Sequence, residues 1–101
     1  MLEKLTSTDF KSLLNETFQV KLQSEEQFSA DLIEVTEVGQ EPNEENSIIR
    51  RAFSAIFHIK GDTFFPQQIC SVEHETLGSL TLFLVPLGPA KDGTRYEAMF
   101  T

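Results

Sequence analysis

The sequence predicts a mostly β domain: a small antiparallel barrel or sandwich of about six strands with one short N-terminal helix. Three observations carry this. Apolar residues recur at period two through most of the chain, as in Phe18, Val20 and Leu22 against Gln19, Lys21 and Gln23. Turn signals separate the alternating runs at short intervals. No strand–helix–strand alternation is present, and successive short strands of this kind close into barrels or stack into sandwiches. The 101 residues fit one domain, residues 1–101.

The elements follow in chain order. Thr6-Ser7-Thr8-Asp9 offers helix caps, and Phe10, Leu13 and Leu14 follow at helical spacing, which predicts a helix over Ser7–Leu14. Its apolar stripe is narrow, so the helix should lie as a lid on the sheet. The first strand is Phe18–Gln23, and Ser24-Glu25-Glu26-Gln27 is its turn. In the next strand Phe28, Ala30 and Leu32 alternate, then Ile33, Val35 and Val38 take over. The phase slips by one residue at Leu32-Ile33. A β-bulge restores the facing after such a slip, and a strand buried on both sides would also account for it. Gly39–Ser47 holds three Glu and no apolar residue, and reads as the one long loop.

Arg51–Lys60 is a strand with Phe53, Ala55, Phe57 and Ile59 on one face. Phe64-Phe65-Pro66 is extended but not a central strand, since proline donates no ladder hydrogen bond. Gln68–His74 is short. Ser79–Pro86 is apolar on both faces, which predicts a central position or cover by the helix. Gly88-Pro89 and Asp92-Gly93 read as turns, and Tyr96, Ala98 and Phe100 form a last strand in a hairpin with the one before.

Composition narrows the function. Nine Phe in a chain that is 40% hydrophobic make a core rich for its size. Sixteen acids against eight bases give a net charge of −8. That argues against nucleic acid and against anionic membrane surfaces, which both need clustered Lys or Arg. It suits solubility, or docking of a basic partner. Cys70 is the one cysteine, so no intrachain disulfide forms. No apolar run approaches the ~18 residues of a membrane span, and no signal peptide is visible, so the expected location is the cytoplasm.

No P-loop, GxGxxG, GxSxG, HExxH or CxxC motif occurs. Cys70 and His74 share a strand face but stand about 13 Å apart, too far for one metal ion or for a thiolate–imidazole pair. The expectation is that Cys70 packs as a small apolar residue and that His58 and His74 lie on wet faces. The acidic loop lacks the ligand order of a calcium site. No cofactor and no metal is expected. Arg50-Arg51 would suit a carboxylate clamp, or pair locally with the excess acids. Phe64 and Phe65 are either a partner-binding patch or a plug at one barrel end.

The segments Met1–Thr6, Glu16-Thr17-Phe18, Arg51–Phe57 and Leu82–Pro89, with Gly93, Tyr96, Glu97, Ala98 and Phe100, resemble a family of short uncharacterised bacterial β domains. The resemblance covers most of the chain outside Gly39–Ser47. It implies no assigned activity and a genetic neighbourhood of phage-tail-like proteins, and it supplies no functional residue.

Three functions fit these readings. The first is a non-enzymatic interaction or assembly module whose partner is protein, either itself or another chain. The second is a small-ligand barrel, with Phe lining a cavity and Arg50 or Arg51 holding a carboxylate. The third is an enzyme using His58, Glu73 or His74. The first is expected, because no catalytic constellation is present.

Overall fold

The structure, a computed structural model, describes residues 5–38 and 52–100. Its elements are α1 (Ser7–Lys11), β1 (Thr17–Lys21), β2 (Gln27–Glu37), β3 (Phe53–Lys60), β4 (Gln68–His74), β5 (Gly78–Ala90) and β6 (Gly93–Phe100). The six strands close into an antiparallel barrel in the ring order β1-β2-β3-β6-β5-β4. The barrel, not the sandwich, is the form the strands take.

Two three-stranded meanders, β1–β3 and β4–β6, build the ring. They join edge to edge, β3 to β6 and β1 to β4. Each middle strand is long and changes partners along its length. β2 pairs with β1 through Gln27–Asp31 and with β3 through Asp31–Glu37. β5 pairs with β4 through Gly78–Leu84 and with β6 through Val85–Ala90. Each carries one register shift in its second half, at Leu32/Glu34 and at Pro86/Gly88. A bulge bends a strand and increases its twist, which lets it leave one neighbour for the next. The predicted bulge at Leu32-Ile33 is therefore real. Gly88-Pro89, read from the sequence as a turn, is the second bulge, with Gly88 at φ 114°. The hairpin turn is Lys91-Asp92, between the paired Ala90 and Gly93, one residue earlier than Asp92-Gly93 suggested. A side chain on Gly93, the first residue of β6, would collide with the Ile59 carbonyl.

The β1–β2 hairpin closes through Ser24 with Glu25 at φ 78°. The Leu22 N–H donates to the Glu26 carbonyl at 2.8 Å. Three loop residues ending in a left-handed position give the turn a bulge of its own.

The connection from β3 to β4 joins strands three places apart in the ring of six, so residues 61–67 cross one mouth of the barrel. Phe65 is carried inward by this crossing and is 4% exposed. It stacks on Tyr96 at 4.1 Å and lies 6.0 Å from Phe28. Its backbone N–H donates to the Tyr96 hydroxyl at 3.0 Å. At the other mouth sits α1. Thr6 caps it in a capping box, with the Thr6 hydroxyl accepting from the Asp9 N–H and the Asp9 carboxylate accepting from the Thr6 N–H. The helix stops at Lys11, short of the predicted Leu14. Residues 12–15 turn instead, ending on Asn15 at φ 72°. Phe10 points inward and is fully buried, with ring centroids 4.9 Å from Phe100, 5.5 Å from Phe53 and 6.4 Å from Phe18. The lid expected from the narrow stripe is this plug.

Ser79–Pro86 lies in β5, the central strand of its meander, paired with β4 and β6, and the helix does not cover it. Leu80, Leu82 and Leu84 point inward, but Phe83 on the opposite face stays half exposed, and α1 packs against β2 and β3 instead. Along β3 burial extends to both faces, since Ser54 and Ile56 are buried as well as Phe53, Ala55 and Phe57.

The two residues of Phe64-Phe65 make a test of the plug. Phe65→Ala should cost about 3–5 kcal/mol of unfolding free energy, as buried aromatic truncations do. Phe64→Ala, at a 66% exposed position, should stay within about 0.5 kcal/mol. Urea unfolding of both variants reads the difference, and equal losses would place both rings in the core.

Candidate functional site

Side chains fill the barrel interior. Phe18 meets Phe57 edge-on at 5.2 Å, and Phe53 stacks on Phe100 at 4.5 Å. Leu32, Val72, Leu84 and Ala98 pack among these rings. Six of the nine Phe are buried and pack on one another or on Tyr96, so they do not line a ligand cavity. With both mouths plugged, the surfaces that the described residues leave for function are the outer walls and the seams between strands.

Arg50, Arg51 and the acidic loop Gly39–Ser47 lie outside the described residues. Phe64 and Phe65 divide, one on the surface and one as the plug. Phe64 lines an open cleft of about 560 Å³ with Gly61, Asp62, Gly88, Lys91 and Asp92, at the mouth that Phe65 closes.

His74 is not on a wet face. It is the last inward residue of β4, buried and 4.5 Å from the Phe18 ring. Its Nε2 lies 2.7 Å from Glu16 Oε1, and its Nδ1 accepts from the Thr76 N–H at 3.0 Å and the Leu77 N–H at 3.4 Å. A nitrogen that accepts two backbone N–H groups carries no proton of its own. The ring is therefore the Nε2–H tautomer and donates to Glu16. Every polar atom of the imidazole is used, and its function is to tie the end of β4 to the entry of β1. His58 and Glu73 point outward from β3 and β4, strands on opposite sides of the ring, so His58, Glu73 and His74 share no site. Among the described residues no group of three or more His, Cys, Asp or Glu comes together to hold a metal ion.

Cys70 packs inside the barrel as expected and is 2% exposed. Burial raises its thiol above the ordinary value of 9.0. Burial likewise raises the Tyr96 hydroxyl above 10.0, with the Phe65 N–H working against it and the nearby Cys70 adding to it.

The outer wall of β4, β5 and β6 is apolar. Ile69 and Phe83 face each other across the β4–β5 ladder, 52% and 50% exposed. Met99 on β6 is 52% exposed. It lies two residues beyond the last β5–β6 pair, Val85↔Glu97, as Phe83 does on β5, and both face outward. Sequence reasoning marked Phe83 but not Ile69 or Met99, because each is a single apolar residue in the polar phase of its strand. The signal was available only across strands, in the register.

The family model described as Domain of unknown function (DUF6916) matches residues 5–100, and the chain belongs to this family. Neither the curated proteins nor the solved structures compared with the chain gave a match. Among the described residues no helix is long and apolar enough to cross a membrane.

Two outcomes follow from the buried polar groups. Long-range proton–nitrogen NMR should show the neutral His74 ring protonated at Nε2, and an Nδ1–H signal would contradict acceptance of the Thr76 and Leu77 N–H groups by Nδ1. Stability should fall above about pH 9. The Cys70 and Tyr96 values are raised in the folded state, so their contribution is whole below the unfolded values. It is lost with rising pH because the unfolded chain ionises first. Cys70→Ala and Tyr96→Phe should each flatten the fall in urea midpoint.

Proposed function

We propose that the protein is a non-enzymatic assembly module that associates with a second copy of itself through the outer wall of β4, β5 and β6. The observation that carries this is the apolar row Ile69, Phe83 and Met99, three half-exposed side chains of different strands on one face. Aromatic and Met side chains on an exposed face favour protein contacts. The filled interior supports an outer surface over a ligand pocket. A place in a tail-like assembly rests on the resemblance of the strand and turn residues alone.

The chemistry of the wall sets its salt dependence. Two copies, each with a net charge of −8, repel at long range, while the apolar contact does not depend on salt in that way. Added salt should therefore strengthen association. Sedimentation over a wide concentration range should give a mass above the 11.4 kDa of one chain, rising with salt. Phe83→Glu should weaken association about 30-fold or more, the equivalent of a 2 kcal/mol hot spot, and leave the melting temperature nearly unchanged. A wild-type protein that stays monomeric at every salt concentration would overturn the proposal.

A further inference from the structure

On the far side of the ring from this wall, β2 and β3 part company. Their last pair toward the Phe65 mouth is Asp31↔His58, yet β2 begins at Gln27 and β3 runs on to Lys60. The segments beyond that pair border an open cleft of about 520 Å³, lined by Gln27, Phe28, Ser29, His58, Ile59 and Lys60 among others.

The register decides which backbone groups face this cleft. In an antiparallel ladder a residue sends both its N–H and its C=O to one side, and the next residue sends them to the other. The Leu32 N–H donates to the Glu16 carbonyl at 3.1 Å, and the Leu22 N–H to the Glu26 carbonyl at 2.8 Å. The even-numbered residues of β2 therefore face β1, and Gln27 and Ser29 face away from it. On β3 the Gly61 N–H donates to the Asp92 carbonyl at 2.9 Å, which turns the odd-numbered residues toward β6. The Val38 N–H donates to the Ala52 carbonyl at 2.8 Å, which turns the even-numbered ones toward β2. Lys60 thus faces β2 beyond the last pair. Gln27 and Ser29 on one lip and Lys60 on the other direct main-chain donors and acceptors into the cleft without a ladder partner in the β2–β3 register.

We propose that this seam docks an extended peptide segment of a partner protein, which adds as a strand along Gln27–Ala30. Donors and acceptors alternating every second residue match the backbone of a strand and little else. Four residues of β2, before the Asp31↔His58 pair, offer a ladder of about 13 Å. The side chains at the rim, Lys60 and His58 beside Asp31, are of mixed sign, so recognition is by main chain and its sequence preference is weak. Strand edges of this kind take added strands in other proteins unless they are covered.

The test uses the full chain and a phage-displayed library of random linear peptides. Selected peptides should bind the wild type. They should shift the amide signals of residues 27–31 and 58–60 and slow hydrogen exchange at Gln27 and Ser29. Ser29→Pro removes one outward N–H that the β1–β2 ladder does not use, and should abolish binding while the melting temperature stays within a few degrees. Ser29→Ala keeps that N–H and should bind as the wild type does. Phe83→Glu, on the opposite wall, should also bind normally, so failure of self-association and failure of this seam are read separately. If Ser29→Pro fails to fold, the exchange measurement on the wild type decides. Gln27 and Ser29 amides protected in the free protein, selection of no peptide, or peptides whose shifts fall elsewhere would each overturn the proposal.

Discussion

A ring of six strands has two mouths, and the rest of this structure depends on the aromatic rings that seal them. Phe10 closes one mouth against Phe53, Phe100 and Phe18, and Phe65 closes the other against Tyr96 and Phe28. Without these plugs the inward faces of all six strands would stand open to water at their ends. A short chain has little other apolar area with which to compensate. The plugs also explain two elements that are not strands. The helix exists to carry Phe10, and is only as long as its capping box and one inward turn require. The crossing at residues 61–67 carries Phe65 over the mouth on its way between strands three places apart in the ring.

The polar groups inside follow the same logic. Tyr96 fills volume beside Phe65, and its hydroxyl accepts the Phe65 backbone N–H. His74 fills volume beside Phe18, and its two nitrogens satisfy Glu16 and the turn after β4. Each is an aromatic body with a polar end placed where the ladder ends and a backbone or carboxylate group needs a partner. Both nitrogens of this histidine are taken up by contacts that tie β4 to β1 and to the turn after β4.

Much of this was legible in the sequence. Period two located every strand to within a few residues, and the slip at Leu32-Ile33 predicted the bulge that bends β2 from β1 to β3. The narrow stripe of Phe10 and Leu13 predicted a lid. The rest failed for identifiable reasons. Gly88-Pro89 carries the same local chemistry whether the chain turns or bulges, and only the pairing of β5 with β6 tells them apart. His74 was read as wet because nothing local reveals that Glu16 and the Thr76 N–H wait beside it. Its inward phase with Cys70 and Val72 was visible, and should have outweighed its polarity. Ile69, Phe83 and Met99 come from three strands, and the pairing of Ile69 with Phe83 exists only in the register, which a single sequence does not display.

The ring also explains why the two faces of interest lie opposite each other. Each meander has one middle strand that pairs first with the strand before it and then with the strand after it. Such a strand must leave its second partner at one end, and a seam parts there. In the first meander the parting falls between β2 and β3, and the residues on its lips are Gln27, Ser29 and Lys60. In the second it falls between β5 and β6 toward the Phe10 mouth, where Phe83 and Met99 stand on the outer face. The backbone solution is the same and the side chains differ: polar lips with their main chain presented on one side, apolar side chains on the other. The closed ring removes the outer edges of an open sheet, but the change of partners inside each meander creates two partial ones in their place. Those two partial edges, among the described residues, are where the proposed contacts with another chain fall.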